Sequence, residues 1–586
     1  MQHNYYLYSM HSSKHIWVTC LIFLASLACI AQPKSPISIT GNAAIMYEGY
    51  GLTRSPIGWV GYAQRRPYNQ VRLSFMPTIK FNKNFSLPIN INVAAFPTNF
   101  AGPYAGLRNQ NIGQFITNPM NNIGLNPTYK WAEFQLGTQY LKYSDLSTGD
   151  IGIFGAGFVL KPKDFRIKFF VGQSQRAINY APIPLPGTTG AYLRSHYMFS
   201  LGKEKEGNYL IAFNFAKGSD KASSATIPSL PGLPIPIEGF TISAQIEKKF
   251  TKGWYFKSEG ANSIYSTDNR LAINPLLKGF KPFITAKIST SSDYAANVAF
   301  GKKSNNLDVG VSTKYVGAGF QLPGYPFMQP DRLEYTVNTR FNAFKNTTNV
   351  VASIGQRINN IKVGIQSTQL IGMLNWFTQF NEKFSINISF NNFGFNTAGV
   401  LLPGGFSIKN VSTDAGINPT YTWSNTKMSH TLSLNYNYSN YTEALTPFGG
   451  GLTISSVNNT HTAMLNYIPV YFLRKISPDF SALYFYNNAT AAKITFATLS
   501  AGISAPIKTK LKLRGQLQYT LSTFNSFTPE NNVVASCNVD YKLKKKLTWT
   551  NFLTTNYFKY GNQLGVGLVG AKYLESTVRT GFQYKF

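Results

Sequence analysis

Charge is scarce in this chain. Of its 586 residues, 13% are Asp, Glu, Lys or Arg, about half the ~25% usual in soluble domains. A string of soluble domains, which the length alone would allow, is therefore a poor reading. Acidic residues are scarcest, 23 against 55 Lys and Arg. They are too sparse to reveal a Ca²⁺ or Zn²⁺ cluster, so neither a metal nor a cofactor is expected. Cysteine occurs three times, and only Cys537 lies beyond the first thirty residues, which excludes an intramolecular disulfide or Cys-based metal site in that part. Histidine is nearly absent after position 32, leaving His196, His430 and His461. A hydrolase needs a base beside a nucleophile or acid, and none of the three carries a recognisable nucleophile motif with an acidic orienter. No enzyme is expected. No later stretch approaches 18 consecutive apolar residues, so no helical span is expected there. No phosphate loop appears in a strand-to-helix context, and no nucleic-acid module pattern is present despite a formal charge of +32.

Aromatics, by contrast, make up 15% of the chain, with 35 Tyr and 44 Phe. Apolar and polar residues alternate along many segments. In "FSINISFN", Phe384, Ile386, Ile388 and Phe390 share one face and Ser385, Asn387, Ser389 and Asn391 the other. "LKLRGQLQYTLS" from Leu511, "RLEYTVNTRF" from Arg332 and "FRIKFFV" from Phe165 repeat the pattern. Ten-residue alternating segments separated by turn residues are the signature of a transmembrane β-barrel, the one strand architecture that leaves no unpaired backbone in lipid. The expected fold is all-β, a single large antiparallel barrel.

The beginning of the chain fits export. Lys14 precedes the apolar run "IWVTCLIFLASLACIA", which is short for a spanning helix and ends in small residues before Gln32. Residues 1–31 read as a cleaved signal peptide and 32–586 as the barrel. A retained anchor or a lipoprotein at Cys29 fits less well.

Connections fall into two kinds. Tight polar turns are expected at 82–84, 161–164, 251–253, 381–383, 508–510 and 544–546. Long Gly/Pro/Asn-rich loops are expected at 98–123, 178–190, 218–238, 265–288, 318–330 and 393–416. With short turns facing the periplasm and long loops outside, about 26 strands result; 24 is the alternative, since 279–290 reads equally as a strand pair or a loop. Strand signal starts near Ile37, which leaves no room for the N-terminal plug of a TonB-dependent transporter. The last strand, "STVRTGFQYKF", puts Phe582, Tyr584 and Phe586 on one face, resembling the terminal strand read by the barrel-insertion machinery.

One phrase occurs twice. "GLNPTYKW" begins at Gly124 and "GINPTYTW" at Gly416, each preceded by a similar hairpin, "FNKNFSLPINI" from Phe81 and "FNEKFSINISF" from Phe380. This reads as an internal duplication of barrel hairpins. Pro127 and Pro419 are expected at the first residues of a strand, where no N–H is needed. Tyr129 and Trp131, and likewise Tyr421 and Trp423, are expected to share a face in the aromatic girdle just before a turn.

The order "YGLTRSPIGWV", "NPTYKWAEFQLGTQYL", "IFGAGFVLKPKDFRIKFF" and "SHTLSLNYNYSNY" resembles large, poorly characterised, porin-like outer-membrane β-barrel proteins of Bacteroidota. The resemblance covers most of the chain after position 31. It implies an outer-membrane location and names no solute. By parity Arg166, Lys168, Arg340, Lys512, Arg514, Arg579 and Lys585 point into the lumen, which favours polar and in particular anionic solutes. The alternative is that these charges pair locally and set no selectivity. An open barrel this wide would leak, so 98–123, 393–416 or a partner is expected to narrow it. Expected partners are outer-membrane lipid and lipopolysaccharide, the insertion machinery, and a plug or lipoprotein. The alternative function is a scaffold for surface or secretion machinery, its lumen filled by loops or a partner.

Overall fold

The computed structural model describes residues 37–55, 69–81, 84–98, 121–148, 151–180, 189–280, 283–323, 328–363, 366–397, 406–447, 454–490, 492–525, 527–561 and 570–586. The segment 1–31 and most of 98–123 lie outside them.

Strands follow one another along the chain. The first group is β1 Ile37–Ser55, β2 Asn69–Phe81, β3 Phe85–Thr98, β4 Asn122–Leu125, β5 Thr128–Tyr129, β6 Ala132–Leu141 and β7 Ile151–Leu160. Next come β8 Phe165–Gln175, β9 Leu193–Lys205, β10 Tyr209–Lys221, β11 Glu238–Lys249, β12 Trp254–Ser266, β13 Thr290–Lys303 and β14 Leu307–Val316. Then β15 Arg332–Ala343, β16 Thr348–Asn359, β17 Ser367–Gln379, β18 Phe384–Thr397, β19 Phe406–Ser424, β20 Met428–Pro447 and β21 Ile454–Tyr471. The last are β22 Ser477–Ala489, β23 Lys493–Lys508, β24 Leu511–Phe524, β25 Glu530–Lys544, β26 Leu547–Lys559 and β27 Lys572–Lys585.

β4 and β5 are two pieces of one stave, both bonded to β3 and to β6. Every ladder is antiparallel between sequence neighbours, and β1 pairs β27 from Asn42↔Lys585 to Ser55↔Lys572. The sheet therefore closes as a 26-strand antiparallel barrel with no free edge. The described residues of 279–290 form no strand before β13 begins at Thr290, and a short 3₁₀ turn, Pro275–Phe280, runs into its start. Loop 393–416 is shorter than expected, because β18 runs to Thr397 and β19 starts at Phe406. Several turns on the short-turn side close through one lysine in the left-handed region, as at Lys130, Lys163, Lys252 and Lys475.

The repeated phrase keeps its register. Phe85 pairs Tyr129, and Ile89 pairs Leu125; Phe384 pairs Tyr421, and Ile388 pairs Ile417. The prolines are not at strand starts. Pro127 interrupts the first stave between β4 and β5, and Pro419 sits near the end of β19, where the ladder to β20 skips from Ile417 to Thr420. The missing N–H thus falls on a gap in the following ladder. The copies diverge after Tyr: Trp131 lies in the turn itself, so the two-residue alternation with Tyr129 does not hold there, while Tyr421 and Trp423 stay on one face of β19 with ring centroids 5.5 Å apart.

Candidate functional site

Which side of the wall is inside follows from chain reach. Ser144 Oγ lies 3.2 Å from Ser243 Oγ, yet Ser144 is only three residues past the end of β6 and Ser243 sits on β11. Three residues span at most about 11 Å, whereas five strand spacings measure about 24 Å along the wall. Only a chord across a concave surface closes that gap. The face carrying Ser243 is therefore the enclosed one, and register propagates the assignment to every strand. The opposite, convex face carries exposed apolar side chains such as Leu201, Phe213, Val311, Ile354, Leu499 and Leu553.

The enclosed face has two unlike arcs. From β6 to β14 it is filled. Segment 142–148 folds inward, with Leu146 fully buried against Ala261, Ala295, Val316, Phe320 and Leu322 and its N–H donating to Glu259 Oε1 at 3.2 Å. Segment 317–323 folds in beside it, and Ser263 Oγ donates to the Gln321 carbonyl. A polar chain leads down from the first loop: Asn214 donates to Ser243 (3.1 Å), Ser200 to Asn214 (2.7 Å), and Arg166 reaches Ser200 and Glu204. Among the described residues, the segments that narrow this arc are 142–148 and 317–323; most of 98–123, and residues 398–405 within 393–416, lie outside them.

A row of glycines makes the filling possible. Gly124, Gly137, Gly155 and Gly172 are successive register partners, His196 follows, then Gly218 and Gly239. A Cβ on Gly155 would fall on the Val171 carbonyl oxygen, and one on Gly218 would meet Pro323 Cβ at 2.6 Å. Gly137 has φ 84°, a conformation open to glycine at no steric cost. Glycine in a strand marks a tight bend or a close backbone approach; here seven neighbouring staves bend along one crease, and Pro323 rests in it.

From β18 to β26 none of the described residues folds over the enclosed wall. Between Phe384 and Tyr560, Pro469 alone is buried among the described residues, and it pairs His430 on the outward face. The inward positions are mostly Asn, Ser, Thr and Gln, bonded to one another: Asn487 to Asn458 (2.7 Å), Thr498 to Thr520 (2.9 Å) and Ser481 to Ser500 (2.5 Å). A cavity of about 390 Å³ on this wall is lined in part by Asp479, Ser504, Arg514 and Gln516.

Register puts all seven basic residues singled out from the sequence on the enclosed face, scattered rather than clustered. Most have a carboxylate near them. Arg166 bonds Glu204 (3.3 Å) and Arg579 bonds Glu48 (2.6 Å). Arg340 lies opposite Asp308 and Lys512 opposite Asp540, and Arg514 shares its cavity with Asp479. Lys168 sits over the Tyr143 ring at 5.5 Å, and Lys585 ends β27. Phe582 and Tyr584 face outward, and the Phe586 N–H donates to the Gly41 carbonyl at 3.0 Å.

The histidines separate by face. His430 stacks on Trp423 (4.8 Å) and His461 lies among Tyr436, Tyr438 and Tyr486, both in outward aromatic groups. His196 faces inward, 1% exposed, its Nε2 2.7 Å from Ser174 Oγ. The nearby Asp220 carboxylate is held by Arg194 at 2.7 and 2.9 Å and by the Ile237 N–H, so it does not orient the imidazole. Among the described residues no group of three or more His, Cys, Asp or Glu could hold a metal ion.

Sequence reasoning missed a set of aromatics on the enclosed face at the long-loop end. Phe485 stacks on Phe496 (4.3 Å), Phe558 on Tyr573 (5.4 Å), and Phe524 on Phe527 (6.2 Å). Their signal is a break in alternation, as in Tyr484-Phe485-Tyr486 and Tyr557-Phe558, where both faces of the strand turn aromatic.

No protein-family model matches the chain, and no curated protein matches it. Solved structures similar to it include the siderophore receptor PirA from Acinetobacter baumannii, 7% identical with a TM-score of 0.35, covering 93% of this chain and 81% of that one. A ferric enterobactin receptor mutant from Pseudomonas aeruginosa is 11% identical with a TM-score of 0.43, covering 93% and 80%. OccAB4 from Acinetobacter baumannii is 10% identical with a TM-score of 0.28, covering 67% and 98%.

Proposed function

We propose that the barrel stands in the outer membrane of a Gram-negative cell and passes small polar solutes passively along its open arc. The observation that carries this reading is the wall from β18 to β26, polar, inward-facing and without a buried inward side chain among the described residues. The convex apolar face meets lipid and lipopolysaccharide, because a closed barrel satisfies its own backbone and needs only an apolar exterior. The filled arc, sealed by 142–148 and 317–323, keeps so wide a barrel from leaking. The outward Phe582, Tyr584 and Phe586 serve its insertion.

Ion preference along the wall is weak, since most of the inward cations have a carboxylate near them. Anions gain their edge at the short-turn mouth, where Lys427, Lys475, Lys508, Lys510 and Lys544–Lys546 are exposed. In a planar bilayer under a salt gradient, the purified protein gives steady conductance steps with a small anion-selective reversal potential. Neutralising Lys544, Lys545 and Lys546 to Gln moves that potential toward zero, and Arg514→Gln moves it less. A folded protein that gives no conductance would overturn the passage reading and favour a scaffold whose lumen a partner fills.

A further inference from the structure

We infer that the open arc recognises neutral saccharides at its long-loop mouth, a reading that rests on the passage function proposed above. In a barrel of this kind the belt aromatics face outward to the headgroups. Here paired rings also stand on the enclosed side. Phe485 and Phe496 are stacked at 4.3 Å with planes 10° apart on β22 and β23, and Phe558 and Tyr573 at 5.4 Å and 9° on β26 and β27. Side chains stand off a sheet along its normal, so these are two apolar ridges on the enclosed side, in which Phe485, Phe496 and Phe558 are half-buried and Tyr573 is buried.

Between the ridges lies a polar floor on β24 and β25. Register places Ser522 beside Phe496 and Thr520 beside Thr498. It places Glu530 beside Ser522 and Asn532 beside Thr520, and Phe558 beside Asn532. Three strand spacings, about 14 Å, separate the strands that carry the two ridges. Thr520 bonds Thr498 (2.9 Å) and accepts from Gln518 (3.3 Å), and Ser522 donates to Glu530 (3.3 Å). Hydroxyls and amides both donate and accept, which matches the hydroxyls of a sugar, while the ring ridges match its C–H faces. Glu530 in the floor disfavours an anionic solute.

The test is single-channel recording with neutral linear oligosaccharides (glucans, mannans and xylans of five or six residues), and polyethylene glycol of equal mass as control. At least one saccharide series interrupts the current in a concentration-dependent way and the control does not. Phe558→Ala raises the concentration for half-block about tenfold, the scale of one lost aromatic contact. Phe496→Leu, which keeps an apolar side chain but loses the ring, raises it in the same direction, with folding checked by heat-modified gel migration. Steady conductance that every saccharide and the control leave alike would overturn the saccharide inference while the passage function stands. Absence of any conductance would overturn both.

Discussion

Arg579 and Glu48 are 531 residues apart in sequence and 2.6 Å apart in the barrel, on the two strands that close it. Alternation along "STVRTGFQYKF" is enough to turn Arg579 inward, but nothing local in the sequence names its partner, because pairing β27 with β1 is a property of closure. Glu48 is nearly buried, with 6% of its side chain exposed. A buried carboxylate that loses its cation is left poorly compensated. Arg579→Met therefore lowers stability by about 2 kcal/mol, less than for a fully buried pair because the arginine is partly solvated. Glu48→Gln, which keeps a neutral acceptor, costs less. Urea unfolding followed by loss of heat-modified gel migration measures both, and equal effects would contradict this ranking. The same limit of local reading explains the basic residues as a group. Their side of the wall was legible from parity, while the carboxylates near most of them lie on other strands and become visible only with the register.

At the scale of strands and turns, alternation and turn chemistry predicted most of the wall, including the tight turns at 161–164 and 544–546 and the count of 26. The glycine crease was not legible. Gly124, Gly137, Gly155, Gly172, Gly218 and Gly239 are spread over more than a hundred residues and become a row only when seven staves are aligned. Nor does length reveal which loop turns inward: segment 142–148 is short, and it folds in because the crease brings β11 and β12 within its reach. Gly155→Val and Gly172→Val should each cost about 1–3 kcal/mol, as overpacked sites do, and lower the folded yield. Gly260→Val on β12, where an added Cβ meets nothing within 4 Å, should leave yield unchanged. Refolding into detergent and gel migration compare the three, and equal loss at Gly260 would contradict the role given to the crease. In the duplicated phrase, the conserved register of Phe85 with Tyr129 and of Phe384 with Tyr421 accounts for the repeated residues as architecture. The Phe–Tyr pairing and the ladder break at proline recur in both copies, while the step from Tyr to Trp does not.

For the whole molecule, composition already separated a barrel from a soluble protein, since low charge with abundant aromatics suits a wall with one face in lipid. What composition could not divide is the lumen. Inward residues of both arcs are small and polar, Ser243 and Ser200 on one side, Ser500 and Thr520 on the other. Filling depends on loops that cross the chord, and so on curvature. The division into a sealed arc and an open arc is the central physical claim, and the proposed passage and saccharide mouth depend on it. Its direct measurement is cysteine modification during planar-bilayer recording, in a Cys537→Ser background, because Cys537 is the one free thiol among the described residues. Gln516→Cys and Thr550→Cys place a thiol on the open wall; Ser243→Cys and Ala261→Cys place one under the infolded loops. A water-soluble thiosulfonate should react at Gln516→Cys and Thr550→Cys and lower the current, and leave the current through Ser243→Cys and Ala261→Cys unchanged. Equal reaction and equal current loss at all four positions would contradict a sealed arc.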